Sequence, residues 1–133
     1  EAGGIVGGTV YSICNSYNTG NIKAGDGYCT GGVAGSVRGN INSNYNIGIM
    51  NINSSIRGGI AGFSGYRIPI SNNYYLDGLA EVGVYSDNGS GSTNRGTISI
   101  ISEELKQKAK DLGEEVWKDR NKRWLSNTCM ANR

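Results

Sequence analysis

One short pattern occurs three times in this chain, and it constrains the fold more than any other feature. The segments GGIVGGTVYSICNSYNTGNI, GGVAGSVRGNINSNYNIGIM and GGIAGFSGYRIPISNNYYLDG begin at Gly3, Gly31 and Gly58, so the spacing is 28 and then 27 residues. A repeat of this length is a supersecondary unit that cannot bury its own apolar face. We therefore expect a repeat region, residues 1–78, in which the units 3–30, 31–57 and 58–78 stack on one another.

The pattern within each copy is typical of short strands. Side chains alternate in character, and Gly and Asn recur every few residues, which would end a helix but suits turns between strands. If each copy forms one coil, its strands pair in parallel with those of the next coil, about 4.8 Å away. The sequence thus predicts a fold dominated by β-structure: a parallel β-helix, or β-solenoid, of about three coils.

Equivalent positions of successive coils are expected to stack in columns. Two core columns are predicted: Ile5, Val33 and Ile60, and Ile13, Ile41 and Ile68. The repeat glycines are expected to supply a positive φ or a close backbone approach at tight corners; they are Gly3, Gly4, Gly7, Gly31, Gly32, Gly35, Gly58, Gly59 and Gly62. Polar and aromatic positions are expected to form a surface ladder in which Asn hydrogen-bonds along the stack: Tyr17, Asn18, Tyr45, Asn46 and Tyr74.

The chain changes character after the third copy. Residues 79–101 form an irregular extension, with short strands expected at 81–85 and 97–101 and a hairpin signal at Asn88-Gly89. Residues 102–133 predict an amphipathic helix, which covers the open edge of the last coil, and a tail. Ser102 is a suitable N-cap. The apolar face of the helix consists of Leu105, Ala109 and Leu112, and Trp117 is expected to pack beside the helix.

Charge and composition narrow the function classes. The formal net charge is +2 and residues 1–96 are neutral, so neither a nucleic-acid partner nor an anionic membrane surface is expected. No stretch approaches the roughly 20 apolar residues that cross a bilayer, so direct membrane insertion is not expected either. The chain begins with Glu1 rather than Met and carries no signal peptide at its start, which indicates a mature product or a piece of a longer protein.

Side chains that carry chemistry are scarce. The chain has no histidine, and Cys14, Cys29 and Cys129 lack the spacing of a zinc site, which leaves free thiols or a Cys14–Cys29 disulfide as alternatives. The Gly-Gly-x-x-Gly element lacks the Lys-Ser/Thr of a P-loop and the strand–GxGxxG–helix context of a dinucleotide site. We therefore predict no catalytic, cofactor-binding or metal-binding residues.

Acidic residues do not recur with the repeat. Asp26, Asp77 and Asp87 lie at unrelated points of it, whereas a calcium-binding solenoid needs a recurring aspartate. A sugar-cleaving site needs two acids within reach of one sugar ring. A polysaccharide-acting β-helix enzyme is therefore a less favoured alternative.

The repeats resemble a known motif. The segments GGIVG…NSYNTGNI and GGVAG…SNYNIGIM resemble the GLUG motif, a glycine-rich repeat of bacterial adhesins of the filamentous-haemagglutinin type and of immunoglobulin A peptidases. The segments NNYYLDG and SEELKQKAKDLGEEVWKD are similar to the end of such arrays in clostridial-type surface proteins, so the resemblance covers most of residues 3–120. The tail NKRWLSNTCMANR departs from the family pattern, in which an Asn-x-Gly-Tyr-Pro and a closing Trp follow. The resemblance implies a β-solenoid-like accessory region of a cell-surface or secreted protein, and it brings no catalytic residues.

These observations favour a non-catalytic structural or adhesive module that presents a rigid ladder to host or cell-wall protein or to carbohydrate. A second hypothesis is an extracellular filament whose subunits add edge to edge, because the first coil offers open strand edges next to Gly3-Gly4.

Overall fold

The computed structural model describes residues 1–26, 29–53, 56–87, 91–104, 107–108 and 110–111. Its strands are only two to four residues long, because turn-forming residues follow each of them. The first coil contains β1 (Ala2–Gly3), β2 (Val6–Thr9), β3 (Ile13–Cys14), β4 (Tyr17–Asn18) and β5 (Ile22–Ala24). The second contains β6 (Thr30–Gly31), β7 (Ala34–Val37), β8 (Ile41–Asn42), β9 (Tyr45–Asn46) and β10 (Met50–Ile52). The third contains β11 (Arg57–Gly58), β12 (Ala61–Ser64), β13 (Ile70–Ser71) and β14 (Asn73–Leu76), and it is followed by β15 (Val84–Asp87), β16 (Gly91–Thr93) and β17 (Thr97–Ile100).

Strands at equivalent positions pair in parallel, which confirms the predicted β-solenoid of about three coils. In order along a coil, the sheets are β1-β6-β11, β2-β7-β12-β15-β16, β3-β8-β13, β4-β9-β14-β17 and β5-β10. Among the described strand pairs, only β15 and β16 are antiparallel. Residues 79–101 are thus more regular than the predicted extension, because β15 and β17 add a fourth, incomplete rung to the second and fourth sheets.

The first predicted core column is only partly correct. Val33 and Ile60 are fully buried, and backbone hydrogen bonds of 2.9 Å link Ile5 to Val33 and Val33 to Ile60. The prediction that Ile5 is a core residue is wrong, since its side chain is 51% exposed. The cause is position: the second coil covers one side of Ile5, and no described residue stacks on the other.

The second predicted core column is wrong at one position, Ile68. Ile13 pairs with Ile41, but Ile41 pairs with Ile70, two residues beyond the predicted Ile68. Ser64 still pairs with Val37 at the 27-residue offset, so two extra residues are accommodated between these points. They form an exposed turn at Tyr66-Arg67, where Arg67 has a φ of 53°. Ile68 is buried beside the column rather than in it.

A left-handed corner separates the third and fourth sheets in every coil. Asn15, Ser43 and Asn72 occupy it with φ values of 51°, 57° and 54°. Asparagine tolerates this region better than most residues, because its short polar side chain can hydrogen-bond locally. The corner sets the direction in which the following strand leaves, and so fixes which side chains of that strand face inward.

Helical residues follow β17 at 102–104, 107–108 and 110–111. The predicted N-cap, Ser102, is the first helical residue, and the backbone N–H of Ile101 donates a 3.4 Å hydrogen bond to the Glu104 carboxylate. The Lys108 ammonium lies 5.6 Å from the ring centroid of Tyr74 on the third coil. Leu105, Ala109, Leu112 and Trp117 lie outside the described residues, so the capping role of this segment stays a prediction.

The cysteines do not pair as one alternative required. Cys14 is disulfide-bonded and Cys29 is a free thiol, so the Cys14–Cys29 disulfide is not formed. The other alternative, free thiols, is correct for Cys29 and wrong for Cys14. Cys129 lies outside the described residues.

Candidate binding surfaces

In one column of repeat glycines, inward-facing side chains lie so close to the backbone that no larger residue fits. A methyl group at the second glycine of each pair would overlap an inward-facing side chain. These pairs are Gly4 with the Asn18 amide, Gly32 with the Asn46 amide and Gly59 with the Tyr75 ring. The described glycines with positive φ are Gly78, Gly91 and Gly96, so close approach, not a positive φ, accounts for the repeat glycines other than Gly7.

The other glycine columns pack against backbone. A methyl group at Gly31 would overlap the carbonyl of Ala34, and one at Gly35 would overlap the carbonyl of Gly7. Gly3, Gly58 and Gly62 are equally tight against neighbouring backbone. Gly7 has more room, because its nearest neighbour would be 3.2 Å away.

Asn18 and Asn46 form a buried amide ladder, which corrects their predicted place on the surface. The Nδ2 of Asn18 donates to Oδ1 of Asn46 at 2.9 Å, and each Oδ1 accepts the backbone N–H of the glycine two residues later. Asn18 is 6% and Asn46 0% exposed, because strand alternation turns them inward when their tyrosine neighbours turn outward. Tyr75 occupies the third position and ends the ladder, and Nδ2 of Asn46 has no hydrogen-bond partner within the described structure.

A second buried amide ladder runs through Asn44 and Asn73, and the sequence analysis missed it. The backbone N–H of Ser16 donates to Oδ1 of Asn44, and both the backbone N–H and Nδ2 of Asn44 donate to Oδ1 of Asn73. The signal was present in the sequence, since each of these residues directly precedes a ladder tyrosine.

The outer side of the fourth sheet carries a continuous aromatic and apolar surface, which we call the tyrosine strip. Tyr17 pairs with Tyr45, Tyr45 with Tyr74 and Tyr74 with Ile98, one from each rung. Ile47 and Leu76 lie beside them on the second and third coils. Tyr17 is 56% and Ile98 54% exposed, so the strip reaches solvent at both ends. The predicted positions of the three tyrosines on the surface agree with this arrangement.

The tyrosines are packed on one another. The Tyr17 and Tyr45 rings stack with centroids 5.1 Å apart and planes 8° apart. Burial, and then the neighbouring Tyr17, raise the pKa of Tyr45 above its usual value. One ring face of Tyr17 and one of Tyr45 are therefore already in use, and the cation of Lys108 lies over one face of Tyr74.

A cleft of about 490 Å³ lies where the third coil passes into the fourth rung, and we call it the end cleft. Its polar lining comes from Arg57, Tyr75, Asp77, Glu81, Asn94 and Ser99. The hydroxyl of Tyr75 donates to Oδ1 of Asn94 at 3.3 Å. Burial raises the pKa of Tyr75, a hydrogen bond with the Ser99 side chain lowers it, and the nearby Asp77 carboxylate raises it. The net direction is upward, so the Tyr75 hydroxyl stays protonated at neutral pH.

Two further kinds of site are absent from the described residues. In that part of the chain, no three Cys, Asp or Glu side chains are grouped so that they could hold a metal ion. The described helical residues also include no helix with the length and apolar character needed to cross a membrane.

The tyrosine strip and the end cleft are thus the two surfaces from which a function can be inferred. No protein-family model, no curated protein and no solved structure matches this chain.

Proposed function

We propose that this chain is a non-catalytic structural and adhesive module of a bacterial cell-surface or secreted protein, and that the tyrosine strip is its contact surface. The observation that carries the proposal is the strip itself. Its side chains sit on paired strands at steps of about 4.8 Å, so they are ordered before any partner arrives and little side-chain entropy is lost on binding. The extracellular location rests on the resemblance of the repeats to the GLUG motif.

A protein partner suits the strip better than a carbohydrate does. A sugar ring binds an aromatic side chain through its face, but Tyr17 and Tyr45 use their shared faces on each other and Lys108 lies over Tyr74. What remains is a surface of ring edges, of the Tyr17 ring, which is 56% exposed and stacked on one face only, and of Ile47 and Ile98 side chains, 40% and 54% exposed. Tyrosine is enriched at protein–protein contacts, where one side chain offers both apolar area and a hydroxyl.

The filament hypothesis is less favoured than this contact role. A filament that grows by parallel addition of coils needs a free edge on every sheet at both ends. At the far end of the second sheet, β16 pairs with β15 in the antiparallel direction. A following coil would have to displace that hairpin.

Surface plasmon resonance with the immobilised chain tests the proposal against a fixed panel of purified extracellular-matrix proteins and cell-wall polysaccharides. We expect saturable binding of a protein member, weakened at least tenfold in the double variant Tyr17→Ser/Tyr45→Ser. The control is Tyr11→Ser, because Tyr11 is 78% exposed but lies outside the strip. The proposal is overturned if no panel member binds, or if the double variant and the control bind equally well.

A further inference from the structure

The end cleft brings together charged groups of both signs. Arg57 begins β11, Asp77 follows β14, and Glu81 lies four residues further on. Within the described part of the chain, none of these three side chains has a hydrogen-bond or ion-pair partner. A guanidinium and two carboxylates therefore line one cleft with their hydrogen-bonding capacity unused.

The wall behind these charges is rigid. Tyr75 is 2% exposed and its ring lies against Gly59, where even a methyl group would not fit. The Oδ1 of Asn94 accepts the backbone N–H of Gly83 at 2.8 Å as well as the Tyr75 hydroxyl. The volume of about 490 Å³ falls within the range of roughly 300–1,000 Å³ typical of small-molecule sites. The cleft is thus large enough and sufficiently preorganised to bind a ligand.

The charges select the chemical class of that ligand. The two carboxylates would repel an anionic ligand, and the guanidinium of Arg57 would repel a cationic one, because like charges a few ångströms apart oppose binding. A neutral ligand with many hydroxyl groups avoids both penalties, because its hydroxyls donate to the carboxylates and accept from the guanidinium at the same time. Hydrogen bonds in which one partner is ionised are also stronger than neutral ones.

We infer that the end cleft binds a neutral saccharide through Asp77, Glu81 and Arg57. The side chains of Tyr75, Asn94 and Ser99 form the polar wall against which the sugar lies. The inference does not depend on the tyrosine strip, since Ile98 is the only strip residue that also lines the cleft.

Isothermal titration calorimetry on the full chain tests this inference. The probes are neutral cello-, xylo-, malto- and chito-oligosaccharides, with oligogalacturonate as an anionic probe and a lysine-rich peptide as a cationic one. We expect at least one neutral oligosaccharide to bind, and Asp77→Asn, Glu81→Gln and Arg57→Gln each to raise its Kd at least fivefold. Because Asp77 and Glu81 are exposed and Arg57 is half-buried, these variants should keep the circular dichroism spectrum of the parent chain.

Two controls separate this site from others. Asp26→Asn changes an exposed acid outside the cleft, and Tyr17→Ser/Tyr45→Ser changes the strip; both should leave the Kd unchanged. The inference is overturned if no neutral oligosaccharide binds, if only the charged probes bind, or if binding survives all three cleft substitutions. If a neutral oligosaccharide binds the cleft but no protein of the panel binds the chain, only the contact role proposed above is overturned.

Discussion

Replacement of Asn73 by alanine tests whether a buried amide ladder holds the coils together. Asn73 is 1% exposed, and its side chain makes four hydrogen bonds that join three segments of the solenoid. Its Oδ1 accepts the backbone N–H of Asn44 at 3.1 Å and the Nδ2 of Asn44 at 2.9 Å. Its Nδ2 donates to the carbonyls of Ile41 at 2.9 Å and Gly96 at 3.1 Å.

The expected loss of stability follows from the groups left without partners. In Asn73→Ala the backbone N–H of Asn44 loses its acceptor inside the core, whereas Nδ2 of Asn44 keeps a 3.0 Å bond to the carbonyl of Ile13. An orphaned buried group costs roughly 1–3 kcal/mol, and here the orphaned groups are the backbone N–H of Asn44 and the carbonyl of Ile41. The carbonyl of Gly96 still accepts the backbone N–H of residue 73 at 3.1 Å. We therefore expect a decrease of about 3–5 kcal/mol in the free energy of unfolding, a large part of the roughly 5–15 kcal/mol typical of native domains.

Urea unfolding followed by circular dichroism measures this loss. The matched control is Asn51→Ala, because Asn51 is an exposed asparagine in β10 and its replacement should cost less than about 0.5 kcal/mol. A decrease below about 1 kcal/mol for Asn73→Ala, with an unchanged dependence on urea, would refute the reasoning. It would mean that water or a small shift of the coils satisfies the orphaned groups.

Three further changes test the packing, the corners and the half-buried Tyr45. Gly32→Ala forces a methyl group into the Asn46 amide and should lower the free energy of unfolding by at least about 3 kcal/mol. The control Gly25→Ala places its methyl group in open space and should leave the melting temperature nearly unchanged. Equal effects of the two substitutions would contradict the close-approach role of Gly32. Because Ser43 has a φ of 57°, Ser43→Gly should be about 1 kcal/mol more stable than Ser43→Ala in urea unfolding, and the reverse order would refute strain at the corner. Burial, and then Tyr17, raise the pKa of Tyr45, so the folded state holds this proton more tightly than the unfolded state does. The stabilisation that this proton contributes is complete below about pH 10 and is lost as the pH rises through the folded pKa of Tyr45. In Tyr45→Phe, the free energy of unfolding should therefore fall less at alkaline pH than in the parent chain. An equal fall in both proteins would exclude Tyr45 as its cause.

The coil architecture could be predicted because the glycine positions allow no substitution. Where a backbone or an amide lies directly over a Cα, every coil must place glycine there, so the spacing of Gly3, Gly31 and Gly58 reports the length of a coil. The column of Ile68 could not be predicted from that spacing alone. The third coil has two extra residues at Tyr66-Arg67, and an exposed turn can absorb them without disturbing the glycines on either side.

The inward direction of the asparagines was harder to predict than the outward direction of the tyrosines. Alternation requires Asn18 to face away from the side that Tyr17 faces, but polarity alone suggests that the amide, and not the ring, reaches solvent. Polarity is outweighed here because the buried amide has partners: Oδ1 of Asn46 in the next coil and the carbonyl of Gly20 in the same coil. The end cleft could not be predicted from the sequence either, because Arg57 and Glu81 line one cleft only in the folded third coil.

The buried amides also explain how so polar a sequence keeps a single register. Among the residues that the structure describes, eleven buried polar residues accompany fourteen buried apolar ones, so apolar area alone does not distinguish the native stacking from a shifted one. A shift of one residue would turn Asn44 and Asn73 outward and Tyr45 and Tyr74 inward, so the hydrogen bonds between the two buried amides would be lost. A buried amide without a hydrogen-bond partner costs free energy, and a shifted register would leave such amides unpaired. These hydrogen bonds therefore disfavour shifted registers strongly, even though each adds only modestly to the stability of the native one. The same register aligns the tyrosine strip on the outer side, because each asparagine of the two ladders that lies on the fourth sheet or directly before it is followed or preceded by a tyrosine of the strip.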